Sequence, residues 1–209
     1  MQSALSRTEH SVPIRADASA DGRFGSADAR TVARVNQGIA RNLPRIAYSC
    51  AMSLERFHEA QAGKWAGYAT ALAEMRGGRK RSHWIWYVFP QIEGLGHSST
   101  AQEFAIRDLD EACDYLRDSL LRTRYEEIAA VVAEQLAAGT TVEQLMGGRT
   151  DALKLVSSVT LFRAAALHLA QNESGGDFTR LAQLCDLILQ RTAVQGYGPC
   201  EFTIRSCAA

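Results

Sequence analysis

The sequence lacks the cysteine and histidine spacings of a metalloprotein or a disulfide scaffold. Its five cysteines are scattered and include no C-x-x-C pair, and its five histidines show no H-x-x-x-H spacing and no clustering with cysteine. An odd number of scattered cysteines is typical of reduced thiols and argues against structural zinc. We therefore expect no metal and no cofactor.

The sequence also lacks an excess of charge and long apolar runs. It has 23 basic and 23 acidic residues, a balance that gives no general attraction to nucleic acid or anionic lipid. No apolar run approaches the roughly 20 residues of a transmembrane helix, and the first residues lack the basic head and apolar body of a secretory signal. We expect a cytoplasmic protein that contacts no membrane. Nucleic-acid binding is a weaker option than the functions given below, because one basic turn on a neutral chain is a small electrostatic footprint.

Large apolar residues are scarce in the first quarter of the chain. Residues 1–51 are rich in Ser, Ala, Arg, Asp and Gly, so they bury too little surface to offset the entropy of ordering. This composition predicts a largely disordered extension at 1–51, a folded domain at 52–195, and an irregular tail at 196–209, where Gly198 and Pro199 stand and no period is clear.

The folded region has helical periodicity. From Ser53, large apolar residues, Trp65 among them, recur at spacings near three and four up to Met75, which predicts one long amphipathic helix with these residues on its buried face, ended by Gly77 and Gly78. Possible caps at Ser98 and Asp108, and a box at Thr140, open further helices. We expect an all-α, compact single-domain bundle of about six to eight helices. Periodicity alone leaves 84–89 open between a buried strand and a helical turn.

The densest chemistry lies in residues 77–98. Two glycines precede Arg79, Lys80 and Arg81, and glycine backbone amides together with arginine guanidiniums suit phosphate or carboxylate. The P-loop spacing is absent, which argues against nucleoside triphosphate hydrolysis by that route. We expect Arg79 and Arg81 to bind an anion; the alternative is a solvated basic turn.

Polar and aromatic residues follow this basic run directly. Ser82 is a candidate ligand contact, and His83 is the acid/base candidate if a reaction is catalysed. Trp84 and Trp86 are candidate stacking surfaces for a flat ligand. The alternative for His83 is a hydrogen-bonded core residue.

A second segment, residues 151–162, combines buried and polar positions. As a helix it carries apolar residues around most of its circumference, while Lys154, Ser157 and Ser158 share one face. Buried polar groups need partners, and a ligand pocket is one source of them. These three residues are candidate catalytic groups, including a lysine-activated serine. The alternative is an ion pair between Lys154 and Asp151.

Two parts of the chain resemble the bacterial family DUF1810. The first is GRKRSHWIWYVFPQ followed by GLGHS, and the second is LKLVSSVTLF. The segment DLDEACDYL between them fits the same pattern. The resemblance covers the chain from about Ser53 to Phe162. It implies a compact all-helical fold, a helical conformation for 84–89, and no established activity. The chain departs from the family pattern at Val156, where the family has a basic residue after the Lys-Leu pair.

Two functions fit these observations. The first is a polar pocket where residues 79–83 meet Lys154, Ser157 and Ser158. It binds an anionic small molecule that is nucleotide-like or phosphorylated, and the protein could act on this molecule as an enzyme. The second is a non-enzymatic interaction protein that docks a protein partner through its aromatic and basic segment. The residues leave open whether any reaction is catalysed.

Overall fold

The computed structural model describes residues 54–173 and 177–208, and within these ranges the chain is helical with no β-strand. This confirms the all-α prediction. The described residues form ten helices, more than the six to eight expected, because three of them have only four or five residues. The predicted disordered extension lies outside the described residues. In chain order the helices are α1 (54–61), α2 (Tyr68–Arg76), α3 (Ile85–Val88), α4 (Ser99–Glu103), α5 (Leu109–Arg117), α6 (Ser119–Ala137), α7 (Val142–Met146), α8 (Arg149–Asn172), α9 (Phe178–Ala193) and α10 (Glu201–Ala208).

Helix α8 is the centre of the fold. It packs against α3, α5, α7, α9 and α10, and its buried residues lie on nearly all sides, as the sequence predicted. Aromatic rings of neighbouring helices close around Phe162, whose ring centroid lies 4.4 Å from that of Tyr125 and 4.9 Å from that of Tyr115. Such tilted ring pairs add to the apolar burial that holds the bundle together.

Helix α8 also has the length and composition of a membrane-spanning helix. However, 67% of its most apolar stretch is buried inside the fold, which is the pattern of a core helix.

The predicted long helix that begins near Ser53 is instead two helices, α1 and α2. Residues 62–67 between them form a turn, and the side chain of Trp65, expected on the buried face, is 91% exposed. The backbone is tight here, since a Cβ on Gly67 would lie 2.0 Å from the carbonyl oxygen of Gly63. The turn between the two helices therefore requires glycine at position 67. Gly77 caps the C-terminus of α2, as predicted.

The segment 84–89 contains α3, so the helical expectation from the family resemblance is confirmed. Buried Gln61 of α1 donates from Nε2 to the carbonyl oxygen of Tyr87 at 2.7 Å and to the Tyr115 hydroxyl at 3.0 Å. The Gln61 amide thus gives the Tyr87 carbonyl oxygen the hydrogen-bond donor that a neighbouring strand would give it in a sheet. Tertiary packing thus overrides the β-propensity of the segment.

Helix caps agree with the sequence in most places. Ser98 accepts from Ala101 N, and Asp108 accepts from Glu111 N. The expected capping box at Thr140 lies one residue later, at Thr141 and Gln144.

The tail predicted to be irregular contains a helix. Residues 196–200 form a non-helical connection, but α10 then runs from Glu201 to Ala208. Thr203 of this helix is fully buried, and α10 packs against α8. Helix α10 is stabilised by packing on α8, and its own sequence has only a weak helical periodicity. The sequence therefore did not predict this helix.

Candidate functional site

Glu74 of α2 fixes the basic loop that precedes α3. Its carboxylate accepts from the backbone N–H groups of Arg81 (2.8 Å) and Ser82 (3.1 Å), from the Ser82 hydroxyl (2.7 Å) and from Trp84 Nε1 (2.7 Å). Partial burial alone would raise the pKa of Glu74, but these hydrogen bonds hold it below its ordinary value. This carboxylate therefore fixes the end of the loop, while the backbone N–H of Lys80 is bonded to the Leu145 carbonyl oxygen at 2.7 Å.

Lys80 points inward from the same loop and meets α8. Its ammonium lies 2.7 Å from Oδ2 of Asp151, and the other carboxylate oxygen, Oδ1, lies 2.9 Å from the ammonium of Lys154. The side chain of Lys80 is 7% exposed and that of Lys154 is 20% exposed. Burial alone would raise the pKa of Asp151, yet the hydrogen bonds from both lysines hold it low. Two ammonium groups therefore share one carboxylate.

Each of these lysines also lies against an indole. The Lys80 ammonium is 5.4 Å from the ring centroid of Trp84, and the Lys154 ammonium is 4.5 Å from that of Trp86. The imidazole of His83 stacks against Trp86 with centroids 6.4 Å apart and planes inclined by 26°. These contacts are within cation–π range and partly offset the burial of the lysine charges.

Lys154 and Trp86 open onto a cleft of about 560 Å³. It is bounded by α8, by the loop from Gln91 to Ser98 with the start of α4, and by residues 198–200. Gln91 Nε2 donates to the Ser157 hydroxyl oxygen at 2.6 Å within it. The residues that line the cleft include one lysine and one histidine but no carboxylate: Trp86, Gln91, Leu95, Gly96, His97, Ser98, Ala101, Thr150, Leu153, Lys154, Val156, Ser157, Gly198, Pro199 and Cys200.

The single pocket expected from the sequence is divided into two clefts that share no lining residue. Arg79 and Arg81 line a second, open cleft beside α2, together with Glu74, whereas Lys154 and Ser157 line the first. Between the two arginines, Lys80 turns to the other side, where its backbone N–H donates to the Leu145 carbonyl oxygen and its ammonium pairs with Asp151.

Four other predicted residues line neither of these two clefts. Trp84 is fully buried with its N–H bonded to Glu74, so it offers no stacking surface. Ser158 is also fully buried, and its hydroxyl lies 3.3 Å from that of Tyr125. The Ser82 hydroxyl donates to the Glu74 carboxylate. His83 is exposed and stacks on Trp86 without lining the cleft.

The ion pair between Lys154 and Asp151, given as the alternative from the sequence, is present. Sequence reasoning missed Glu74, Gln91 and the inward orientation of Lys80. The only available signal was that a lysine between two arginines in an extended loop faces the opposite side from both. Glu74 gave no signal, because its partners are seven to ten residues away on a loop of unknown path.

No group of three potential metal ligands occurs among residues 54–173 and 177–208. Burial raises the pKa of the Cys113 thiol to about 11 and that of Cys185 to about 12. These two thiols are therefore protonated at neutral pH and suit packing rather than nucleophilic chemistry.

Comparisons with known proteins agree on one family. A family model described as a protein of unknown function, DUF1810, matches residues 51–174. The crystal structure of the conserved hypothetical protein Rv1873 from Mycobacterium tuberculosis resembles this fold with a TM-score of 0.58 and 34% sequence identity, covering 75% of this chain and 97% of that chain. No curated protein matches the sequence.

Proposed function

We propose that this chain, which belongs to the DUF1810 family of proteins of unknown function, binds a small anionic molecule in the cleft beside Lys154. The ligand class is nucleotide-like or otherwise phosphorylated. The observation that carries this proposal is the sharing of Asp151 by Lys80 and Lys154. A cytoplasmic location, expected from the sequence, is part of the same proposal.

The electrostatic argument rests on charge balance. Lys80 and Lys154 bring two positive charges and Asp151 brings one negative charge, which leaves one positive charge uncompensated. No other carboxylate of the described residues lies within 4.0 Å of either ammonium. A partly desolvated charge without a full partner is costly. An anion in the cleft would supply the missing charge at Lys154.

The walls of the cleft favour a ligand with an apolar body beside its anionic group. Leu95, Leu153, Val156 and Pro199 line it together with Trp86. A volume of about 560 Å³ lies in the range of roughly 300–1,000 Å³ that is usual for small-molecule sites. Arginines are not part of this cleft, so the lysine is its anion contact.

We propose that the cleft binds its ligand, and we do not propose that the protein catalyses a reaction on it. Besides Lys154, the ionisable side chains at the cleft are those of His97 and Cys200, and of these two an imidazole is the more common acid/base group. His83 lies outside the lining, and the Lys154 ammonium is engaged by Asp151, which removes the lysine as an obvious base for Ser157. An acid/base role would therefore fall to His97.

The test is a thermal-shift and calorimetry panel on the full chain. The probes are inorganic phosphate, a nucleoside monophosphate and a sugar phosphate, each organic probe paired with its uncharged nucleoside or sugar. A phosphorylated probe at a hundredfold over its Kd should stabilise the protein by about 2.7 kcal/mol, and its uncharged counterpart should not.

The matched variants are Lys154→Gln, which should abolish this stabilisation, and Lys64→Gln at an exposed site outside the cleft, which should retain it. Equal stabilisation by the uncharged probes, or full retention in Lys154→Gln, would overturn the proposal. So would a panel without any stabilising anion.

Docking of a protein partner is the second candidate. It is supported by Arg79 and Arg81, which are exposed and form no ion pair with any described residue. The buried Trp84 cannot contribute to such a surface. Replacing both arginines by glutamine should leave small-anion binding unchanged if the Lys154 cleft is the site. Loss of anion binding in that double variant would move the site to the second cleft.

A further inference from the structure

Two polar side chains in the Lys154 cleft retain hydrogen-bonding capacity that the fold does not use. Ser157 is only 2% exposed, and its hydroxyl oxygen accepts from Gln91 Nε2. Within residues 54–173 and 177–208, no atom accepts the Ser157 hydroxyl proton and none donates to Gln91 Oε1. Buried polar groups are rarely left incomplete. The cleft is where their missing partners would come from, because both residues line it.

The positions of these two residues are fixed by the fold. Ser157 belongs to the central helix α8, and the carbonyl oxygen of Gln91 accepts from Ile106 N at 2.8 Å, next to the bridge between Ile92 and Ile106. Rigid supports of this kind allow hydrogen bonds to discriminate between ligands, since the groups do not move to suit a poor partner.

The pair is close to the proposed anion contact. Lys154 and Ser157 are three residues apart on α8, which places their Cβ atoms roughly 5–6 Å apart on one helix face. One small molecule can therefore reach the Lys154 ammonium with its anionic group and the Gln91–Ser157 pair with another part.

On the basis of the proposed function, we infer that the Gln91–Ser157 pair selects anionic ligands that also carry an adjacent hydrogen-bond donor and acceptor. The Ser157 hydroxyl donates to the ligand acceptor, and Gln91 Oε1 accepts from the ligand donor. A nucleobase edge with an amino or amide group, or a primary amide, has this chemistry. A ligand without it would leave both protein groups unpaired when it displaces water from the cleft.

The test compares adenosine 5′-monophosphate, whose base has an amino donor beside a ring acceptor, with purine riboside 5′-monophosphate, which lacks the amino group. We expect calorimetry on the full chain to give an adenosine monophosphate Kd about tenfold lower or better, because an unpaired buried polar group is costly. In Gln91→Leu the two Kd values should agree within about twofold, because the acceptor for the amino group is gone, whereas Ser157→Ala should raise both Kd values together.

Ser158→Ala is the matched control, because this neighbouring hydroxyl faces Tyr125 in the core and not the cleft. It should retain the preference even if stability falls. Equal Kd values for the two nucleotides in the wild type, with binding still dependent on Lys154, would overturn the inference and leave the proposed function standing. Failure of both nucleotides and of every other phosphorylated probe to bind would overturn both.

Discussion

The indole Nε1 of Trp84 donates to Oε2 of Glu74 across 2.7 Å. This hydrogen bond joins α2 to the start of α3. The sequence suggested that Trp84 is a stacking surface for a ligand, but the bond holds its side chain in the interior of the fold. The same carboxylate also holds Arg81 and Ser82, the residues that directly follow Lys80, so Glu74 supports the loop together with the bond from Lys80 N to the Leu145 carbonyl oxygen.

We predict that Glu74→Gln lowers the free energy of unfolding by about 2–3 kcal/mol, because a neutral amide weakens charge-assisted bonds and turns one acceptor into a donor. Urea denaturation at pH 7 measures this change in the free energy of unfolding. The control is Glu93→Gln at an exposed position, which should stay within about 0.5 kcal/mol of the wild type. Equal, small effects of both variants would mean that the Glu74 bonds do not hold the loop.

The shared carboxylate predicts an asymmetry between its partners. Asp151→Asn leaves two poorly solvated ammonium groups without a counter-charge and should cost about 3 kcal/mol or more. Lys80→Met removes the surplus charge and keeps the apolar stem, so it should change stability by less than about 1 kcal/mol. Denaturant unfolding of both single variants and of the double variant checks this. The double variant should be more stable than Asp151→Asn alone; additive losses would contradict the charge-surplus argument.

Acid should destabilise the protein through Glu111. Its side chain is fully buried, and although burial alone would raise its pKa, hydrogen bonds from Arg107 and Arg56 hold it below the ordinary value. The unfolded state therefore binds the proton more readily. This contribution is present above the unfolded pKa of about 4.3 and is lost as pH falls through the lower folded pKa.

Urea unfolding between pH 2 and 7 tests this prediction. Glu111→Gln should be less stable than the wild type at pH 7, and the difference should narrow below about pH 4. Glu103→Gln, at an exposed position, should follow the wild-type curve. A gap for Glu111→Gln that stays constant with pH would show that packing, and not the carboxylate charge, is the cause.

The three tryptophans should differ in their access to solvent. Trp65 is 91% exposed, Trp84 is fully buried and Trp86 is partly buried. Acrylamide should quench one strongly accessible component of the fluorescence, and Trp65→Phe should remove it. Trp86→Phe should leave that component in place. Strong quenching that survives Trp65→Phe would instead indicate an exposed Trp84 or Trp86 and favour the protein-docking alternative.

The fold was largely predictable because it follows from periodicity and helix ends. Buried residues at helical spacing marked α8, and Gly77 marked the end of α2. The prediction failed at Trp65, where apolar character suggested burial, because the approach of Gly67 to Gly63 is a backbone contact that no period reveals. It also failed at α10, which depends on the packing of Thr203.

The sequence by itself determined an all-helical domain and a lysine on a buried helix with Asp151 as its partner, because three-residue spacing on a helix places these two side chains together. Only the tertiary structure decided that Lys80 shares the same carboxylate, that Arg79 and Arg81 face a different cleft, and that Gln91 meets Ser157. These contacts join residues that are 66 to 71 positions apart in the chain, and their geometry is set by how the loops pack on α8.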